Sequence, residues 1–366
     1  MSRGHLFLRV EHQEWEFLSK LDLDAPVPFD AAVISDRYLA AYPEGHRDHG
    51  KPADRLVEAL DELHVPWLLD PDTARLGHHR AAERLRPRAA NSPIVRALAL
   101  PLTPSLSMPS GEAEALVDAA AGVQLRSTMF TAPYLEFAGT EDPRFATNLR
   151  LLELVRERAG DRTVVAVLQT TARYLRDGSA AEAGRALAAC GAKIVLIRIR
   201  RFAAEEASSA DLVAYGRAAI AIERAGASAI PDAVGRLGPV LVACGADGFS
   251  TGAYHFRSVP ADLCPDGGGA GQPALSWEVP DRFTSIERST VRLAAERATC
   301  RYPRCPAPTG TEPESAIRAH NLHELQRLAR LAAQEGFSFA GRLRASGSVY
   351  ASGWAVGLEQ LQRLAA

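Results

Sequence analysis

Three short constellations in this chain carry the residue types that chemistry needs. Cys300 and Cys305 flank a proline-containing turn, and His320 follows at the start of a helical stretch. Two thiolates and an imidazole are three of the four donors of a tetrahedral zinc site. The fourth is not at a diagnostic spacing; Cys264 and His323 are the candidates, and two ordinary cysteines near a helix fit the same spacing. Asp70-Pro71-Asp72-Thr73 closes an apolar run. Carboxylates at a strand end act as base, nucleophile or metal ligand, and Asp72 equally suits a helix cap after a proline turn. The third group is Gly245-Ala246-Asp247-Gly248-Phe249-Ser250-Thr251-Gly252. Glycines such as Gly248 let a backbone approach a phosphate or base closely, Asp247 offers a carboxylate and Ser250 a hydroxyl, although a tight turn asks for the same residues. Gln169 and Thr170 end a further apolar run and suit a base edge or a sugar hydroxyl; His255 follows the glycine-rich group.

These residues need a scaffold that brings distant strand ends together. From about residue 30 to 257, short apolar runs alternate with helical stretches. Strands are expected at 29–36, 65–70, 122–130, 163–169, 192–199 and 239–251, with a weak strand or turn at 228–233. Helices are expected after residue 53, over most of 73–120, and over 143–159, 179–190 and 208–224. The strands are continuously apolar, as parallel strands covered on both faces are. Repeated strand–helix units predict an α/β protein, either a (β/α)8 TIM-type barrel or a doubly wound sheet. No glycine-rich fingerprint opens the first unit, which favours the barrel. Polar residues end the strands at Ser35-Asp36, Asp70-Pro71-Asp72, Gln169-Thr170-Thr171, Asp247 and Ser250, where a barrel has its active mouth.

The barrel is expected over 1–257, a proline- and glycine-rich connection over 258–290 and a C-terminal helical subdomain over 291–366. In that last part a helix is expected at 285–299, a long one at 314–336, then a glycine/serine-rich loop and a short terminal helix.

The 366 residues are 47% hydrophobic and 23% charged, which excludes a disordered, collagen-like or coiled-coil chain. The apolar runs are too short to span a bilayer, the first residues lack a signal-type apolar segment, and the cytoplasm is the expected compartment. Five cysteines argue against a disulfide scaffold. The net charge of −2 argues against a bulk-basic nucleic-acid binder. Only Lys20, Lys51 and Lys193 are lysines, the other basic residues being arginines. A GC-rich genome explains that bias, and so does recognition of phosphate by guanidinium forks. Arginines gather at 80–88, 198–201 and 318–330.

Several segments together resemble the tRNA-guanine transglycosylase family, in consistent order from about 65 to 340. His320-Asn321-Leu322 and the following helix look like the family's zinc-ligand block, and Cys300 and Cys305 like the outer two of its three zinc cysteines, with Tyr302 at the middle position. VVAVLQTTARYLRDG is similar to its Val-Gln-Gly-Gly block, which implies that Gln169 reads a base. GADGFS resembles its Gly-x-Asp-x-Phe-Asp strand end, and Asp70 stands where its other catalytic aspartate would be. The resemblance implies a (β/α)8 barrel with structural zinc, nucleic acid (tRNA or DNA) as partner, and a homodimer. It also marks departures. Ser250 occupies the nucleophile's position, Thr170-Thr171 replaces two glycines, and MFTAPYLEF stands in place of the base-recognition Asp-Glu-Cys. Three functions stay open: a transglycosylase-like barrel acting on or binding nucleic acid, an inactive barrel that binds nucleic acid or protein, and an unrelated barrel enzyme for a small anionic substrate.

Overall fold

The computed structural model describes residues 3–10, 17–18, 21, 26–36, 53–74, 92–97, 108, 110–200, 202, 206–252, 276–288, 291–294, 299–300, 305 and 308–365. It is a mixed α/β fold with two four-stranded parallel sheets. One has the order β3 (Trp67–Asp70), β2 (Ala31–Ser35), β1 (His5–Val10), β8 (Gly248–Gly252). The other has β4 (Met129–Thr131), β5 (Thr163–Thr171), β6 (Ile194–Arg200), β7 (Ser228–Pro231). Every ladder within these two sheets is parallel, so each connection is a crossover, mostly helical.

Alternate residues of each strand feed different cores, because side chains on a strand switch faces with period two. Phe7, Val33 and Leu68 of the first sheet meet Val165, Val167, Leu196 and Ile230 of the second in an inner core. The intervening residues, such as Leu8, Ile34, Leu69, Leu168 and Phe249, join the helices in a larger outer core. Strands apolar on both faces therefore read as continuous runs. The edges of the two sheets are also tied. Ser127 Oγ donates to the carbonyl of Trp67 at 2.6 Å, between the entries to β4 and β3. The Asp247 N–H donates to Ala229 O at 3.1 Å, between β8 and β7.

The helices in chain order are α1 (Ala53–Glu62), α2 (Pro93–Ala97), α3 (Ser110–Val123), α4 (Pro143–Arg158), α5 (Ala172–Arg176), α6 (Ser179–Ala189), α7 (Ser209–Arg224) and α8 (Leu237–Ala243). Their starts are written locally. Asp142 caps α4 ahead of a proline in its first turn. Ser208 and Asp211 make a capping box on α7. The C-terminal part holds the antiparallel hairpin β9 (Ser276–Val279) and β10 (Thr284–Glu287), then α9 (Glu314–Glu335), α10 (Ala340–Ala345) and α11 (Val349–Ala365). Helix α9 packs on α8 and β1, and α11 on α7, so this part lies directly against the strand–helix units. Among the described residues no helix is long and apolar enough to cross a membrane.

Five expectations are corrected. The run 239–251 is helix α8, a turn, then a short strand; a short, continuously apolar stretch fits a buried helix as well as a strand. The run 122–130 is the end of α3 followed by three strand residues from Met129. The strand His5–Val10, not expected before residue 30, lies between β2 and β8. At the other end, the Gly/Ser-rich residues from 349 are helical, because Ala351, Trp354, Ala355 and Leu358 form a buried stripe that outweighs the low propensity of Gly353 and Gly357. Of the expected helix at 285–299, residues 285–287 are strand and 291–294 a 3-10 turn; residues 253–275, 289–290 and 295–298 lie outside the described residues.

Candidate functional site

The C-terminal ends of six strands or their following loops place side chains in one buried polar layer above the inner apolar core. Arg9 comes from β1, Asp70 from β3, Tyr134 from the residues after β4, Arg198 from β6, Asp232 from the residue after β7 and Ser250 from β8. All six are buried.

They form one continuous network. Arg9 donates from Nη1 to both carboxylate oxygens of Asp232 (2.8 and 2.9 Å) and from Nη2 to Asp70 Oδ2 at 2.7 Å. Arg198 spans the same two acids, from Nε to Asp232 and from Nη2 to Asp70, both at 2.6 Å. Its Nη1 donates to the Tyr134 hydroxyl, which donates to Asp70 Oδ1 at 2.9 Å. Ser250 Oγ donates to Asp232 Oδ1 and accepts from the Ala233 N–H at 2.9 Å. The loop after β3 is fixed too. Asp72 has φ 48° and donates its N–H to Asp70 Oδ1 at 3.0 Å. Thr73 Oγ1 exchanges hydrogen bonds with the backbone of Tyr134. Asp72 is thus held by its backbone in a turn beside Asp70.

The electrostatics follow from this geometry. Burial disfavours the charged form of Asp70, but Arg198 and Arg9 outweigh it and hold the carboxyl far below the usual range. Asp232 is lowered in the same way against its burial, by Arg9 and Arg198. The guanidinium of Arg9 resists deprotonation even more than usual, the two acids overcoming its burial. Burial, with Asp70 nearby, pushes the Tyr134 phenol well up. Two cations and two anions are therefore locked in their charged forms, with the tyrosine neutral. None of these groups is poised to exchange a proton near neutral pH, which general acid–base work requires.

A neighbouring set continues around the strand ends. Arg200 donates from Nε and Nη2 to the two oxygens of Glu136 (2.6 and 2.5 Å), and Gln169 Nε2 donates to Glu136 at 3.2 Å. Thr170 Oγ1 donates to Phe137 O at 2.8 Å. The hydroxyls of Ser35 on β2 and Thr131 on β4 are buried without a hydrogen-bond partner among the described residues.

Asp36 is the one acid here whose carboxyl is pushed up into the neutral range, to about 6, mainly by burial and against the hydrogen bond from Ser92 Oγ at 2.6 Å. A carboxyl with a raised folded-state value loses stability as pH rises from its unfolded value of about 3.9 to 6, and the loss persists above that. Asp36→Asn is therefore expected to stabilise the fold by roughly 2–3 kcal/mol at pH 8 and by much less at pH 4. Urea unfolding at the two pH values checks this; an equal effect at both would show that the carboxyl does not titrate there.

The expected site residues divide. Asp70 and Ser250 enter the network, and Gln169 and Thr170 lie beside it. Asp247 and Gly248 do not belong there: they sit at the entry to β8, whereas Ser250 is at the middle of the strand. Asp247 lies 3.9 Å from Arg3. A Cβ on Gly248 would collide with the His5 carbonyl, so its bareness serves strand pairing. His255 lies outside the described residues. Arg9, Tyr134, Arg198 and Asp232 were missed; the available signal was a charge at an inward position of an apolar strand, in LFLRV and IVLIRIR.

The second site is in the C-terminal part. The donor atoms of Cys300, Cys305 and His320 lie within 4.8 Å of one another. His320 Nδ1 is 3.2 Å from Cys305 Sγ, and Nε2 is 2.8 Å from the Glu278 carbonyl oxygen. A carbonyl only accepts, so Nε2 carries the proton, and in the neutral imidazole the Nδ1 lone pair faces the thiols. That tautomer, with its outer nitrogen fixed by a backbone oxygen, is the one a metal ligand needs. The adjacent Asn321 accepts from the Glu278 N–H at 2.8 Å and donates to Ser276 O at 2.9 Å, so its amide serves as a strand edge for β9. The cluster is able to hold a metal ion. His323 stands outside it, and Cys264 and Tyr302 lie outside the described residues.

No family model matches the chain, and no curated protein does. Among solved structures, nitroalkane oxidase from Streptomyces ansochromogenes aligns over 100% of this chain and 99% of its own, at 16% identity and a TM-score of 0.31.

Proposed function

We propose that the chain is a transglycosylase-like (β/α)8 barrel that binds nucleic acid and does not exchange bases. The observation that carries this is the occupation of both reaction positions. Asp70 is bound by Arg9 and Arg198, and the position where the family has its nucleophile is Ser250, committed to Asp232. Displacement at an anomeric carbon needs a free nucleophile with an activating base. Serine hydroxyl is weak, and its one acidic neighbour is held ionised by two arginines. Gln169, which the resemblance assigns to base reading, donates instead to Glu136. Barrel closure is supported by the inner core shared between the two sheets and by the bonds that tie β3 to β4 and β7 to β8. The nucleic-acid partner rests on the resemblance, together with the arginine-rich composition.

Cys300, Cys305 and His320 fit zinc, which takes sulfur and imidazole donors. Bound there, zinc would supply a cross-link between the Cys segment and α9 and no chemistry. The cytoplasm is the compartment in which such thiolates stay reduced.

The test is a transcribed tRNA incubated with labelled guanine and the purified protein. No label is expected to enter the tRNA, while filter binding retains the tRNA with an affinity that falls steeply with salt. Incorporation would overturn the non-catalytic reading. Loss of tRNA binding even at about 50 mM salt would overturn the nucleic-acid reading.

A further inference from the structure

Helices α6 and α7 and the last turns of α11 enclose a groove of about 420 Å³. Arg185 lies on α6, Arg217 and Arg224 on α7; Ile220, Leu361 and Leu364 supply apolar floor and wall. Several other exposed arginines of this fold meet carboxylates: Arg3 with Glu223, Arg176 with Asp211, Arg344 with Glu359. The three groove arginines are exposed and have no hydrogen bond or ion pair among the described residues. Leu364 is 59% exposed, so the apolar side also lacks a cover.

We propose that this groove docks an acidic peptide segment of a partner protein, with a leucine-type side chain between its carboxylates. Charge complementarity selects an anion, and guanidinium forks bind carboxylates in pairs of hydrogen bonds. The apolar floor selects among anions. A nucleic-acid backbone presents phosphate and sugar and leaves Ile220 and Leu364 uncovered, whereas an amphipathic acidic peptide covers both. Spacing sets the pattern. Arg217 and Arg224 are two helical turns apart on one face of α7, about 10.5 Å along the axis. An extended chain turns every second side chain to one face, and four of its residues cover about 13 Å, a span within the reach of two arginine side chains. The matching segment therefore carries acids four residues apart on one face, with an apolar residue midway between them. This surface is separate from the buried network, so the proposal does not depend on what the network does.

The probe is a fluorescein-labelled peptide of three Glu-Leu-Asp-Glu repeats, titrated with the full chain at about 50 mM salt and read by anisotropy. Saturable binding tighter than roughly 100 μM is expected. Arg217→Glu combined with Arg224→Glu, and separately Leu364→Glu, should each weaken it about tenfold or more. All of these residues are exposed, so an unchanged melting temperature shows that each variant folds. No binding by the parent chain, or equal binding by the double variant, would overturn the proposal. Equal binding of a leucine-free polyglutamate, or a matching loss of tRNA binding in the double variant, would mark a general anion surface and overturn it as well.

Discussion

Replacing Arg198 with alanine is expected to destabilise the protein by about 3–5 kcal/mol, much of its total stability if that is in the ordinary range. The side chain touches Asp70, Asp232 and Tyr134, and all three stay buried when it is removed. Arg9 remains, but it cannot reach Tyr134 from its present bonds, and one guanidinium then faces two carboxylates. The uncompensated charge is the costly part, more than the lost contacts. A second substitution separates these causes. Asp232→Asn in the Arg198→Ala background removes the excess anion, so the double variant should be less destabilised than the sum of the two singles, with a coupling of about 1–3 kcal/mol. Urea denaturation of the four proteins measures it. A cost below about 1 kcal/mol, the range of solvated surface pairs, would mean that water reaches the quartet, and an accessible mouth would then revive the catalytic reading. The acid limb follows with its sign. Asp70 and Asp232 have folded-state values below their unfolded ones, so their contribution is complete above about pH 4 and is lost as pH falls below it.

The strand–helix alternation of residues 29–252 was legible because buried parallel strands are apolar on both faces, and most of the central helices lie within a residue or two of their expected ends. Confusion arose where two structures have one pattern: PVLVACGA serves a buried helix as well as a strand. The site was only half legible. Asp70 and Ser250 are polar residues within apolar runs and advertise themselves, whereas their partners are set by how the two sheets pack together. Nothing local in LFLRV says that Arg9 will meet Asp232, more than two hundred residues away. Asp247 shows the reverse error. Its glycine-rich surroundings look like a ligand loop, but one turn of chain puts it at the wrong end of β8. The three metal-type donors were legible as candidates because they are close in sequence, although their spacing fits two ordinary cysteines near a helix equally; the structure brings all three together. The tautomer of His320 was not legible, since the Glu278 carbonyl that fixes it comes from a different element.

Elemental analysis of protein purified without a histidine tag is expected to find about one zinc per chain, and Cys305→Ser is expected to abolish it. Cys305 and His320 face each other at 3.2 Å, and Cys300 is the third donor within 4.8 Å. In the absence of an ion, the hydrogen bond with Cys300 and burial both push the Cys305 thiol far up, and a bound cation would favour its thiolate. The ion's removal should act locally. Helix α9 is anchored on α8 and β1 independently of the cysteines. Hairpin β9–β10 retains the Asn321 amide, the Trp277 ring against His320 and the Arg236–Glu278 ion pair. The segment around Cys300 and Cys305 loses its only metal-type cross-link among the described residues. Chelation should therefore open the chain near residues 299–305 to limited proteolysis while the urea transition of the strand–helix units stays nearly unchanged. Zinc-finger peptides, which have no such framework, lose folding altogether without their metal. Global unfolding on chelation would mean that the C-terminal part holds the strands together. Zinc retained in Cys305→Ser would mean that the ion is held by other donors and that the cluster is two cysteines beside a helix.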